Sequence, residues 1–178
     1  MWRGPIVTFC ALLLVGCAAT TPAPSSPPAT NSPSVSIPNA VATATPTQNH
    51  LLIRKRDGTF VSLTVEVADT PKTQATGLSG RDILAPDAGM LFVFPSAAPI
   101  EFWMHGTSMP LSIAFVDDNR RIIDLQEMQP ETDDHHVPPG PIRYAIEANQ
   151  GFFSRADVTI GDEVDLSTVA IATSSSPR

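Results

Sequence analysis

A composition step near His50-Leu51 narrows the possible folds more than any other feature. Residues 1–50 hold one basic residue, Arg3, no acidic residue, and 8 of the 18 prolines. All 18 acidic residues and the other 10 basic residues fall in 51–178, a part that carries 10 − 18 = −8. Residues 18–49 are Thr, Ser, Ala and Pro with almost nothing to bury. Such a segment cannot offset the entropy of ordering its backbone. The fold is therefore confined to a single domain over 51–166, some 116 residues, an ordinary size for one core. The Ser/Thr-rich residues 167–178 are expected to fray. The formal net charge of −7 argues against nucleic acid as a partner, because that binding needs a basic face to displace counterions from phosphates.

The first residues read as an export signal. Arg3 supplies a positive start, and residues 6–16 form an apolar stretch of 11 residues. That is too short to span a bilayer as a helix and suits the apolar core of a signal peptide. The stretch ends in Leu14-Val15-Gly16-Cys17, which resembles the lipobox of bacterial lipoproteins. The resemblance implies cleavage of residues 1–16 and acylation of the Cys17 sulfur, with palmitate or a similar chain, as an anchor in the membrane. Ala18 rather than Asp follows the cysteine, which in a diderm host implies the outer membrane, facing the periplasm. Cys10 would leave with the signal, and Cys17 would be the only cysteine of the mature chain. No internal disulfide is then available, so the domain must hold by its core alone.

Residues 17–50 then read as the lipidated cysteine followed by a disordered tether. About 30 residues of this kind reach about 30 Å, and further where prolines stiffen them. A spacer between membrane and domain is the plain reading. The alternative is a Pro-rich ligand for a partner, but no basic residue flanks a P-x-x-P core here.

Within the domain the punctuation is that of short strands. Residues 51–56 run into Asp57-Gly58, a strong hairpin signal, and 60–68 alternate, with Val61, Leu63, Val65 and Val67 on one face. Residues 90–94 are a continuous apolar run stopped by Pro95. Further strands are expected over 100–105, 111–116, 121–127, 142–148 and 161–166. Asp69-Thr70-Pro71 reads as a helix start, limited to about two turns by Gly77 and Gly80. Residues 150–155 allow one helical turn at most. The fold class expected is mainly β, a compact antiparallel barrel-like or jelly-roll-like sandwich with one or two short helices.

Ordered blocks make one family resemblance specific. They are Val65-Glu66-Val67-Ala68-Asp69-Thr70-Pro71, Gly77-Leu78-Ser79-Gly80-Arg81, Gly89-Met90-Leu91-Phe92-Val93-Phe94, the segment 102–115 that opens Phe102-Trp103-Met104-His105, and the close over 143–151 with Gly161-Asp162-Glu163-Val164. Together they resemble the domain-of-unknown-function family numbered 192, over about residues 65–165. The resemblance implies a compact, mostly antiparallel β-structure, often exported or lipid-anchored, and it implies no activity. This chain departs from the family pattern in three places. His105-Gly106 stands where Lys-Asn is usual, Ser79-Gly80 replaces Met and a bulky or charged residue, and a frequent cysteine pair near Thr132 to His136 is missing.

Alternation along a strand at 100–105 would put Ile100, Phe102 and Met104 on one face and Glu101, Trp103 and His105 on the other. In 142–148, Arg143 and Glu147 share a face opposite Tyr144 and Ile146. If these faces meet, Glu101, Trp103, His105, Arg143 and Glu147 form a concave polar surface for a small polar or anionic ligand. Otherwise Trp103 packs under a loop and Arg143 pairs structurally with an acid. A copper reading uses thioether and imidazole ligands, chiefly Met104, His105 and Met109, but their spacing matches no metal motif. No G-x-S-x-G, H-E-x-x-H or glycine-rich phosphate loop occurs. The expectation is a lipid-anchored, non-enzymatic binding or accessory module of the cell envelope, without a cofactor, serving a small polar ligand or an envelope protein. A small enzyme on the Glu101/His105/Arg143/Glu147 face and a copper-handling protein are the alternatives.

Overall fold

The computed structural model describes residues 49–171. Strands β1 (Asn49–Arg54) and β2 (Phe60–Ala68) form the hairpin that Asp57-Gly58 announces. Gly58 takes φ 84°, and Asp57 Oδ1 accepts from Thr59 N at 2.8 Å and Thr59 Oγ1 at 2.6 Å. The turn is thus built by a residue free to adopt positive φ and by an Asp that bonds its own backbone. Helix α1 (Pro71–Thr76) starts where the sequence places it. Thr70 Oγ1 accepts from Thr73 N at 3.2 Å while Thr70 N donates to Thr73 Oγ1 at 3.1 Å, a reciprocal cap. Then follow β3 (Ala88–Ala98), β4 (Leu111–Val116), β5 (Ile122–Met128), β6 (Ile142–Asn149), α2 (Phe152–Arg155) and β7 (Glu163–Asp165).

The strands make one seven-stranded sheet in the order β5-β4-β6-β3-β2-β1-β7. Its two edge strands approach each other. Ile122 N donates to Asp162 O at 2.9 Å, Val164 N to Arg120 O at 2.8 Å, and Arg121 bridges Glu163. The sheet is therefore curled until its edges join at one end, the barrel-like architecture expected. It is not wholly antiparallel. β2 and β3 run parallel, because the connection 69–87, which carries α1, is long enough to return the chain to the same end of the sheet.

Alternate side chains feed two cores. Leu51, Leu63, Leu91, Ala114, Ile146 and Val164 belong to one, with contributions from all seven strands, and this core fills the curl. Phe92, Phe94, Ile113, Phe115, Met128 and Ala145 face the other way into a second core. That outer core is covered by irregular chain that lends it Leu78, Phe102, Met104 and Met109. The neighbouring positions Phe92 and Leu91, or Phe115 and Ala114, thus serve opposite faces. Both faces of the sheet being covered, 90–94 reads as a continuous apolar run.

Three boundaries differ from expectation. Pro95 does not end β3, which continues to Ala98; the β3–β6 register shifts between Val93 and Ala98, and such an irregularity lets a residue without an N–H sit in a strand. Residues 100–105 are not a strand, and only Phe102 bridges, to His136. The fold also extends beyond 51–166. Asn49 and His50 lie in β1, Thr168 Oγ1 donates to His50 O, Ala170 N donates to Asn49 Oδ1 at 2.9 Å, and Val169 is buried in the inner core. Residues 167–171 are therefore packed rather than frayed. The expected signal, Cys17 and the tether up to residue 48 lie outside the described residues.

Candidate functional site

The outer core is incompletely filled. Between β3, β6, the end of α1 and the segment 100–107 lies a pocket of about 240 Å³. Its floor is apolar: Phe92 and Phe94 from β3, Leu78 after α1, and Phe102 from the covering loop, all buried. Phe102 packs edge-on against Phe92 with ring centres 5.1 Å apart, and against Phe94 at 6.4 Å. Trp103 lines the pocket from an exposed position, 55 % accessible, beside Ser79, Thr76 and Glu101.

Glu147 is the chemical centre of this pocket. It comes from the middle of β6, between Met90 of β3 and Ile113 of β4 in the two flanking registers. The residue is 6 % exposed, and its carboxyl makes no hydrogen bond or ion pair among the described residues; its oxygens border the pocket and are not sealed inside the core. Burial pushes its pKa from the ordinary 4.5 up to about 8, since a carboxylate without partners in an apolar surround is disfavoured against the neutral acid. At neutral pH Glu147 is thus mostly a carboxylic acid.

Loop hydrogen bonds set the walls. Phe102 N donates to His136 O at 3.1 Å, His136 N to Phe102 O at 2.8 Å, and Met104 N to Thr132 O at 3.1 Å. These latch 102–104 onto 132–136. Gln74 Nε2 donates to Val93 O at 2.7 Å and pins α1 over β3. Residues 79–80 and 105–106 meet here: Gly80 N donates to Gly106 O at 2.9 Å, and Ser79 Oγ lies 3.5 Å from His105 O. Arg81 clamps the same loop to β2 through a two-pronged ion pair with Glu66, Nη2 to Oε2 at 2.7 Å. That contact raises the arginine's pKa and lowers the carboxylate's, mainly through the hydrogen bonds between them.

Of the five residues expected to share one polar surface, three line the pocket: Glu101, Trp103 and Glu147. His105 does not. Its side chain is 76 % exposed and pairs with Asp133 at 2.9 Å. Arg143 shares a strand face with Glu147 but lies four residues away, about 13 Å along β6. It sits 3.9 Å from Asp118 and over its neighbour Tyr144, 6.0 Å from the ring centre. The strand assumed for 100–105 is missing, yet the burial alternation it implied is present: Phe102 and Met104 are buried, Glu101, Trp103 and His105 exposed. Glu101 pairs with His135 at 3.0 Å. Met104 and Met109 are core residues while His105 stands in solvent, so the copper set is split between two environments. Among the described residues no three His, Cys, Asp or Glu side chains gather as a metal site would require.

The aromatic floor and the polar rim at Gln74, Thr76 and Ser79 escaped the sequence reading. A signal was present for the rings, since Phe92 and Phe94 are two apart and so share a face. For the rim there was none, because loop and sheet meet only in three dimensions. A larger groove of about 460 Å³ lies nearby, lined by Pro138, Pro139, Pro141 and Val137, with Glu101 at the boundary between the two. It holds no buried ionisable group.

The DUF192 family model, described as an uncharacterized ACR, matches residues 52–166. The chain belongs to the DUF192 family. Two solved structures are similar to it. A protein of Sinorhizobium meliloti 1021, described as a candidate transcription regulator, is 30 % identical with a TM-score of 0.64, over 66 % of this chain and 92 % of that one. A protein of unknown function from Novosphingobium aromaticivorans DSM 12444 is 29 % identical with a TM-score of 0.62, over 65 % of this chain and 83 % of that one. No curated protein matches.

Proposed function

We propose that this DUF192 protein is a lipid-anchored binding module of the cell envelope, holding a small ligand in the pocket between Trp103 and Glu147. The observation that carries the reading is the pocket's build: an aromatic floor, a buried unpartnered carboxyl and an exposed aromatic rim. Concave, mostly apolar sites with a few placed polar groups are what small-molecule binding requires. An unsatisfied carboxyl costs the free protein stability that a bound partner returns. Anchor and location rest on Leu14-Val15-Gly16-Cys17 and the Pro-rich stretch after it; a tether of that length leaves the domain free to sample the space beside the membrane. The S. meliloti relative is described as a candidate transcription regulator, and a chain of net charge −7 is poorly suited to grip nucleic acid.

Two measurements test the two halves. Cells fed an alkyne analogue of palmitate should label the wild-type chain and not Cys17→Ser; equal labelling of both removes the anchor. Native mass spectra of the purified chain should show a small co-purifying mass that is lost in Trp103→Ala. A clean apo mass in both, with no shift on adding small-molecule probes, removes the binding role.

A further inference from the structure

We propose that the ligand of this pocket is a small organic amine, bound as its ammonium ion against the Glu147 carboxylate with its apolar body among the aromatic rings. The inference rests on the binding reading above and names its chemistry.

The lining selects charge. Its only ionisable side chains are Glu147 and Glu101; no Lys, Arg or His lines it. An anion would meet two acids and no cation. A purely apolar ligand would leave the Glu147 carboxyl buried and still without a partner, at full desolvation cost. An ammonium group supplies the missing partner with up to three donors. Phe92, Phe94, Phe102 and Trp103 in the lining offer apolar contact to the ligand's body, and aromatic rings are the side chains whose faces attract a cation. Size agrees, since a dry cavity of about 150 Å³ accepts benzene and this one is about 240 Å³. The domain's surplus of acidic residues attracts cations over distance.

Binding has a proton balance. The free pocket holds Glu147 largely as the acid at neutral pH. The incoming ammonium keeps its proton, the carboxyl releases its own to solvent, and an ion pair replaces a neutral acid. Affinity should therefore climb with pH until Glu147 is ionised in the free protein. On the sheet Glu147 is flanked by the uncharged Met90 and Ile113; the uncharged Gln74 and Thr107 line the pocket with it from the covering chain, and the other acid of the lining, Glu101, sits at the rim 3.0 Å from His135.

The test is calorimetric titration of the full chain with benzylamine, benzyl alcohol and benzoate at pH 6 and pH 8, in wild type and Glu147→Gln. Benzylamine should bind saturably, about tenfold or more tightly at pH 8 than at pH 6, releasing close to one proton at the lower pH. Glu147→Gln should weaken it at least tenfold and abolish the pH dependence, and the two isosteres should bind at least tenfold more weakly. Benzyl alcohol binding as well as benzylamine, indifferent to Glu147→Gln and to pH, would overturn the amine and leave the pocket as an apolar site. Preference for benzoate would overturn the amine with the charge reversed. Failure of all three to bind would overturn the binding reading as well. The wild-type pH series decides the matter even if the glutamine variant folds poorly.

Discussion

Glu147 costs the free protein stability, and the direction of that cost with pH follows from its burial. The carboxyl's folded pKa is raised from 4.5 to about 8. Below 4.5 both folded and unfolded chains hold the proton, and the group imposes no penalty. Between 4.5 and about 8 the unfolded chain ionises while the folded one does not, so stability falls as pH rises; above about 8 the fall levels off. Denaturant unfolding of the wild type against Glu147→Gln should show this decline across that window and its absence in the variant, a difference on the order of a few kcal/mol by pH 8. A flat difference would mean that the carboxyl is solvated or paired. Phe102 is the other decisive residue. It touches Phe92, Phe94 and Phe115 by ring edges and bonds His136 through its backbone. Phe102→Ala should cost about 3–5 kcal/mol and open the pocket, measurable as a lowered unfolding midpoint together with faster amide exchange over 100–107.

Among the elements, α1 has a local cause and the start of β3 a tertiary one. Thr70→Ala removes the Oγ1 that accepts from Thr73 N and leaves the backbone donor of residue 70 to Thr73 Oγ1 in place, so it should cost about 1 kcal/mol. Because Gln74 ties α1 to Val93 O over the pocket, the same variant should also weaken ligand retention. Gly89 is required by close approach rather than by φ. A Cβ there would lie 2.4 Å from Glu147 O and 2.8 Å from Leu63 Cδ2. Backbone cannot yield as a flexible side chain can. Gly89→Ala should therefore cost about 1–3 kcal/mol or more, read by chemical denaturation, and shift the strand that presents Glu147. Tolerance of alanine at Gly89 would show that β3 and β6 part more readily than their register implies.

In the whole domain, the start of β1 is held by border residues that composition alone assigns to linkers. Thr168 and Ala170 bond His50 and Asn49, and Val169 fills the inner core. Deleting residues 167–178 should therefore lower stability by about 1–3 kcal/mol, seen as a lower melting temperature; an unchanged melting temperature would make the last turn dispensable. Asp162 supports the closure of the sheet edges. It is 2 % exposed and accepts from Arg56 N at 3.1 Å and Thr159 N at 2.8 Å, next to the point where the two sheet edges meet.

Much of this was legible in residue order. The β-rich class, the Asp57-Gly58 hairpin, the Thr70 cap and the alternation through Trp103 are local, and each is carried by neighbours within a few residues, where turn chemistry and side-chain period act. The parallel pairing of β2 with β3, the meeting of the sheet's edges and the continuation of β3 past Pro95 depend on which strands lie side by side, which no local propensity specifies. The site divides the same way. Glu101 and Trp103 could be picked as outward-facing, and Glu147 as an acid on a core strand. That Glu147 is buried without a partner, that Arg143 turns to Asp118 and His105 to Asp133, and that Phe92, Phe94 and Phe102 gather around the acid arise only when residues distant in the chain are packed together, since desolvation and ion pairing depend on distance in space rather than separation in sequence.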